Sequence, residues 1–399
     1  MSAMLPSRQL WAQGPHIVAI GGGTGLSTML RGLKKYTKNL TAIVTVSDDG
    51  GGSGMLRRDI GMLPPGDIRH CMESLANTEP VMQQLLTYRF ESGTLRGQCF
   101  GNLLLAALNG VTGSFDEAVR SMGQVLAISG TVIPVTTTDV RLTATFENGA
   151  YVVGESNIFG FKKQQDCRID HVELLPAHPK ALPDALDAIA AADLILLGPG
   201  SLYTSIIPNL LVDGVAEAIA ASDAQKIYVC NIMTQDGETE GYTAADHLEA
   251  LQRHGREGIV DLCLANNAPI PRGLAARYSE EDAELLRVDR ERIAELDDYY
   301  ASHPKQAADT FHAEFTANDG LAAPQSGVRN SFYAESDLLY SLANLFRDAG
   351  YRAPMIVDLF SLNADPAVLA MCEQVHEQLD ASWDTFRYNY FAHWAKGKN

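Results

Sequence analysis

Residues 16–27, HIVAIGGGTGLS, place four glycines between a short apolar run and the first turn of a helical pattern. A second segment of the same kind, LILLGPGS at residues 194–201, sets Gly198 and Gly200 directly after another apolar run. Glycines let backbone N–H groups approach an anion, and a following helix adds unpaired donors and the positive end of its dipole. Two such loops predict the crevice of an open parallel sheet, where strand order reverses, with a nucleotide diphosphate as the natural guest.

The composition sets the class of protein. A chain of 399 residues with 46% hydrophobic content can bury a large core, which predicts one big α/β domain with an appended part. A net charge of −18 argues against nucleic acid or a membrane surface as a partner. The six cysteines show no CxxC spacing, and no run approaches the roughly 20 apolar residues of a membrane span. We therefore expect a soluble cytoplasmic protein.

The chain divides into three predicted parts. Residues 1–14 form a flexible N-terminus, residues 15–290 a nucleotide-binding α/β domain, and residues 291–399 a C-terminal helical extension that completes the domain or packs on it. Within the domain, short Val- and Thr-rich segments occupy residues of about 131–175, and Asn148-Gly149 between two of them indicates a tight hairpin turn. This pattern predicts a small antiparallel β insertion.

Two polar segments lie next to predicted secondary-structure elements. Asp48 and Asp49 are adjacent carboxylates at the end of a predicted strand, and they repel each other unless a cation or a polar ligand shares them. We take both as candidate metal ligands. The segment GDIR at residues 66–69 has two interpretations: Asp67 caps its own helix, or Arg69 binds the ligand.

Standard catalytic signatures are missing from the sequence. It contains no GxxxxGK[ST], no HExxH, and no GxSxG elbow around Ser53 or Ser201. The first glycine loop is not a strict dinucleotide fingerprint either, because Leu26 or Thr28 occupies the third glycine position. A dehydrogenase is therefore a third choice, which titration with a nicotinamide nucleotide would test.

Six blocks of this sequence resemble, in order, the YvcK-like gluconeogenesis factor family, which is related to the CofD-like 2-phospho-L-lactate transferases. The blocks are IGGGTGLS (20–27), SDDGGGSG (47–54), LPPGDIR (63–69), FGNLLLAAL (100–108), LGPGSLYTSIIPNLLV (197–212) and CNIMTQDGET (230–239). The resemblance covers roughly residues 16–290. It implies a Rossmann-like three-layer α/β/α fold with a mostly parallel sheet.

The resemblance also implies a function. Members are cytoplasmic bacterial proteins that bind a nucleotide sugar such as UDP-N-acetylglucosamine, and they are linked to growth on gluconeogenic carbon sources and to normal cell shape and cell-wall synthesis. The transferase relatives move a phospholactyl group from a guanosine diphosphate derivative, with magnesium. Self-association into a homo-oligomer is a further family-level expectation, and a regulatory role implies a protein partner that the sequence does not identify.

Residue roles carry over by position in the matching blocks. The resemblance implies that the diphosphate is cradled by Gly22, Gly23, Thr24, Gly25, Gly200 and Ser201. It assigns sugar or ribose contacts to Asn102, Asn231 and Thr234, and the acceptor or metal end to Asp49. The ligand-binding tyrosine and arginine of the family resemble Tyr278 and Arg329 here.

Two hypotheses remain open at this stage. The first is a regulator that binds a nucleotide sugar without making or breaking a bond, and the second is a CofD-like transferase in which Mg²⁺ neutralises a nucleoside diphosphate donor. The chain departs from the family pattern at Gln98, where a histidine is expected, and an amide cannot transfer a proton by titration. That departure favours the regulator, and no cofactor other than Mg²⁺ is expected.

Overall fold

The protein was analysed as a computed structural model, which describes residues 14–165, 167–256, 258–266, 283–289 and 292–293. Its strands are β1 (Ile17–Gly21), β2 (Leu40–Val44), β3 (Thr131–Pro134), β4 (Arg141–Phe146), β5 (Tyr151–Val153), β6 (Ile169–Leu175), β7 (Leu194–Leu197), β8 (Gln225–Val229) and β9 (Leu262–Leu264).

The helices lie between these strands in the chain. They are α1 (Gly23–Leu33), α2 (Gly51–Ile60), α3 (Gly66–Leu75), α4 (Pro80–Thr87), α5 (Phe100–Thr112), α6 (Phe115–Val125), α7 (Glu155–Gln165), α8 (Pro183–Ala190), a π-helical turn (Leu202–Ile206), α9 (Ile207–Leu210), α10 (Val215–Ala221) and α11 (Ala244–His254). No helix in the described part of the chain is long and apolar enough to cross a bilayer.

The main sheet has six parallel strands in the order β3-β2-β1-β7-β8-β9. The chain builds outward from β1 to β3, returns, and builds outward again from β7 on the other side of β1. This is the doubly wound order, and its switch point lies between β1 and β7. The two glycine loops leave the carboxyl ends of those two strands, so the fold brings them to one place.

Burial explains why the central strands are apolar throughout. All five residues of β1 are buried, because helices cover both faces of a parallel sheet. On α1 the residues Leu26, Met29, Leu30 and Leu33 recur at helical spacing and are buried against the sheet. The predicted three-layer α/β fold with a mostly parallel sheet is therefore confirmed.

A separate three-stranded antiparallel sheet has the order β5-β4-β6. Its hairpin turn is the predicted Asn148-Gly149, where Gly149 has a φ of +81° and the Asn148 side chain accepts the Ala150 N–H at 3.0 Å. The insertion is smaller than predicted, because β3 pairs parallel to β2 as the edge strand of the main sheet. The division into a flexible N-terminus, a central domain and a C-terminal extension stays a prediction, since residues 1–13 and most of 291–399 lie outside the described residues.

Two glycines at positive φ give a matched test of the packing. A Cβ at Gly130 (φ +102°) would overlap the Leu40 carbonyl oxygen, whereas a Cβ at Gly149 (φ +81°) meets nothing within 4 Å. We expect Gly149→Ala to lower the free energy of unfolding by about 1–2 kcal/mol, through left-handed strain alone. Gly130→Ala should lower it by at least about 2 kcal/mol more, because β2 and β3 must separate. Urea unfolding of both variants measures the difference, and equal losses would contradict this account of the sheet edge.

Candidate functional site

The first glycine loop is held by a carboxylate from another helix. Asp67 of α3 accepts the N–H of Gly23, the first residue of α1. A Cβ at Gly22 would overlap the Asp67 carboxylate, so any other residue there would displace that carboxylate. The sequence interpretation of Asp67 as a cap of its own helix was wrong, because its acceptor oxygen serves α1 and α3 has no side-chain cap.

The two glycine loops contact each other backbone to backbone. A Cβ at Gly25 would lie 3.0 Å from the Pro199 carbonyl oxygen, and a Cβ at Gly200 would lie 3.0 Å from the Gly22 carbonyl oxygen. This contact lies at the switch point between β1 and β7. The structure therefore brings together all six residues predicted to cradle a diphosphate: Gly22, Gly23, Thr24, Gly25, Gly200 and Ser201.

The loop after β8 braces the second glycine loop. The Asn231 side chain accepts the Gly200 N–H at 3.2 Å and donates to the Gly200 carbonyl at 2.8 Å. The Ser201 hydroxyl donates to Gln235 Oε1 at 2.6 Å. In this conformation Asn231 and Ser201, both predicted to contact the ligand, instead hold the loop in shape.

A buried carboxylate caps the helix that follows this second loop. Glu238 is 3% exposed, and its Oε1 accepts the backbone N–H groups of Tyr203 and Thr204, the latter at 3.1 Å. Its other oxygen, Oε2, is buried without a hydrogen-bond partner among the described residues. Burial raises the pKa of Glu238 to about 7, although these backbone donors act in the opposite direction.

The Asp48 and Asp49 carboxylates have different surroundings. Asp49 Oδ1 accepts both the backbone N–H of Ser156 at 3.0 Å and its hydroxyl at 2.8 Å, so it caps α7. Asp48 Oδ1 accepts the Gly50 N–H at 2.8 Å, and burial raises the pKa of Asp48. The described residues contain no cluster of three or more His, Cys, Asp or Glu that could hold a metal ion. Two carboxylates nevertheless suit Mg²⁺, which usually takes one or two of them together with phosphate oxygens.

Carboxyl groups converge on this crevice from four elements. Burial first, and then the neighbouring Asp48, raise the pKa of Asp67 from 3.8 to about 7. Burial and the negative charges of Asp48, Asp67, Glu238 and Asp49 raise the pKa of Glu155 on α7 well above its usual range. Such convergence of like charges is typical of functional sites rather than of surface loops.

Arg69 and Asn102 lie deeper than a ligand contact requires. Arg69 is 4% exposed, and its guanidinium donates to Asn102 Oδ1 at 2.8 Å and pairs with Glu73. Gln98 is buried next to Asn102, and its Oε1 has no hydrogen-bond partner in the described part of the chain. These side chains form one polar cluster behind the crevice.

The remaining predicted contacts are bonded within the protein or lie outside the described residues. The polar groups of Thr234 are hydrogen-bonded to a distant segment of the chain. Its N–H donates to the Glu284 carbonyl at 2.7 Å, and its hydroxyl accepts the Glu284 N–H at 2.9 Å. Tyr278 and Arg329 lie outside the described residues. Sequence reasoning missed Glu155 and Glu238 as members of the site, although the acidic segment QDGETE (235–240) was the available signal for Glu238.

Known proteins resemble this chain over most of the described residues. The family model described as "2-phospho-L-lactate transferase CofD" matches residues 17–302. The "Putative gluconeogenesis factor" of Thermoanaerobacterium thermosulfurigenes is 57% identical over 281 residues, covering 70% of this chain and 87% of that protein. The "Gluconeogenesis factor" of Bacillus subtilis is 46% identical over 282 residues, covering 70% of this chain and 88% of its own length.

Longer relatives and a solved structure agree with this match. A protein of Clostridium acetobutylicum with the same name as the Thermoanaerobacterium protein is 49% identical over 293 residues, and this chain spans 65% of its length. A crystal structure of a UPF0052 family member from Bacillus halodurans superimposes with a TM-score of 0.69 at 46% identity, covering 71% of this chain and 91% of that one.

The raised pKa of Asp67 has a consequence for stability. The folded protein keeps this proton up to a pH of about 7, whereas the unfolded chain loses it near 3.8, so stability falls as the pH rises through that window. An asparagine at this position has no proton to lose, so Asp67→Asn removes this pH-dependent loss of stability. The asparagine amide oxygen can still accept the Gly23 N–H. We expect the variant to be about 1–3 kcal/mol more stable than the unaltered protein at pH 8, and nearly equal at pH 4.

Urea unfolding at the two pH values measures this effect. The exposed Asp223 is the control, because Asp223→Asn should leave the stability unchanged at both values within about 0.5 kcal/mol. An Asp67→Asn variant that is less stable than the unaltered protein at pH 8 would contradict the account.

Proposed function

The chain belongs to the 2-phospho-L-lactate transferase CofD family and is a relative of the gluconeogenesis factors, and from that premise we propose that it is a cytoplasmic regulator that binds a nucleotide sugar resembling UDP-N-acetylglucosamine. The observation that carries the proposal is the contact of the two glycine loops at the switch point. A diphosphate is the ligand group that suits two such loops at once.

The acidic side chains around the crevice determine how a diphosphate can bind. Asp48, Asp49, Asp67, Glu155 and Glu238 surround the crevice, while the nearby Arg69 is already paired with Glu73. An anionic ligand therefore needs charge compensation, either from protons on these carboxyls or from an accompanying cation, and Mg²⁺ bound to the diphosphate would supply it. Asp48 and Asp49 would hold that ion on the β2 side, and the glycine loops would orient the diphosphate.

The regulatory output follows from helix α7. Its N-terminus contacts Asp49, and Asn157, Gln164 and Gln165 are exposed on its surface. A ligand that changes the position of Asp49 changes the position of this exposed surface. A protein partner that reads α7 would thereby respond to the ligand, and roles in growth on gluconeogenic carbon sources, in cell shape and in cell-wall synthesis would follow from that response.

A CofD-like transferase is the second candidate. The observation in its favour is the group of carboxyls with raised pKa beside the predicted diphosphate position, since such a group can accept a proton from an attacking hydroxyl. The buried amide of Gln98, where the family resemblance leads us to expect histidine, supports the regulator instead.

Calorimetry with the full chain separates the two candidates. We expect UDP-N-acetylglucosamine to bind with a micromolar dissociation constant in the presence of Mg²⁺, and at least about tenfold more weakly in EDTA, because the carboxylates then repel the diphosphate. Chromatography of the recovered ligand should find it intact.

Three other outcomes of this experiment would contradict part or all of the proposal. A consumed ligand, or Mg²⁺-dependent turnover of a guanosine diphosphate donor, would establish a transferase. Equal affinity with and without Mg²⁺ would remove the cation from the site. Absence of binding in both buffers would refute the nucleotide-sugar proposal.

A further inference from the structure

Helix α7 is fastened at both ends to loops that follow different strands of the main sheet. At its N-terminus, Ser156 donates two hydrogen bonds to Asp49, which follows β2. Near its C-terminus, Lys162 pairs with Glu240 at 2.8 Å and Lys163 pairs with Asp236 at 2.6 Å, both in the loop after β8. The helix therefore runs from the β2 side of the sheet to the β8 side.

The strand order shows which strands lie between the two anchor points of α7. Between β2 and β8 stand β1 and β7, the strands that carry the two glycine loops. Three strand spacings amount to about 14 Å, and a helix of 11 residues is about 16 Å long. Helix α7 thus has the length to reach from the loop after β2 to the loop after β8, past the two strands that carry the glycine loops.

Glu155 and Phe159 are one helical turn apart on the same face of α7. Glu155 interacts electrostatically with Asp48, Asp67 and Glu238. The Phe159 ring lies against Gly237, where an added Cβ would overlap it, yet the side chain is still 44% exposed. A large, partly exposed aromatic ring therefore lies beside the loop after β8, on the helix face that also carries Glu155.

We propose that Phe159 is the surface on which the nucleobase of the ligand stacks. The inference rests on the proposed nucleotide-sugar function and assigns one end of the ligand. The carboxylates Asp48 and Asp49 lie on the β2 side, which suits the cation and diphosphate, whereas the β8 side presents an apolar ring. A flat aromatic ring binds any nucleobase through its face, and this contact is typically lost when the ring is replaced by an aliphatic side chain.

The test compares Phe159→Leu and Phe159→Trp in the full chain by calorimetry with Mg²⁺. Leucine keeps an apolar contact with Gly237 but removes the ring, so UMP, UDP and UDP-N-acetylglucosamine should all bind about tenfold more weakly. Tryptophan restores a stacking ring, so its affinities should return to within about threefold of the unaltered protein. Nucleotide should also quench the fluorescence added by this new tryptophan.

Tyr151→Leu is the matched control, since Tyr151 is a 57% exposed aromatic residue of β5 in the same insertion. It should leave all three affinities unchanged. If the unaltered protein binds and Phe159→Leu binds equally well, the stacking role is refuted while the nucleotide-sugar function stands. A loss confined to UDP-N-acetylglucosamine would assign Phe159 to the sugar and refute base stacking. If the unaltered protein binds none of the three probes, the proposed function and this inference fall together.

Discussion

The contact between the two glycine loops is the constraint on which the crevice depends. Gly25 and Gly200 approach carbonyl oxygens of the opposite loop so closely that a Cβ would have to push the loops apart. The strand order makes this approach possible, because β1 and β7 are neighbours in the sheet although more than 170 residues separate them in the chain. The glycines at this contact have no side chains with which to hold each other, so other groups must hold the loops.

Those other elements explain the polar residues around the crevice. Asp67 fixes the start of α1, while Asn231 and Glu238 fix the second loop through its backbone groups. Charge-assisted hydrogen bonds to backbone N–H groups position a loop well, but a buried carboxylate costs free energy. Asp67 and Glu238 carry this cost, as their raised pKa values indicate. Proteins commonly retain such a cost where function requires it.

Local patterns predicted the parts of the fold that depend on short-range chemistry. The sequence predicted the loops at Gly22 and Gly200 and the turn at Gly149, because glycine after an apolar run or within a hairpin indicates a tight turn of the backbone. Helix α7 was not predicted, since only Ile158 and Lys162 are buried on it and its cap, Asp49, lies 107 residues away. The target of Asp67 was missed for the same reason. Contacts between elements distant in sequence leave no periodic signal in a single chain.

The same carboxylates that hold the loops also limit how a diphosphate can bind. Asp67 and Glu238 already accept backbone donors at the starts of two helices, which are the groups an incoming phosphate would use. Asp48, Asp49 and Glu155 add negative charge around them. Since like charges cannot share a low-dielectric crevice without compensation, an anionic ligand must enter with a divalent cation or with protons on these carboxyls. In the proposed function, binding of the nucleotide sugar is therefore linked to the cation concentration and the pH, and a protein partner that recognises α7 would respond to all three.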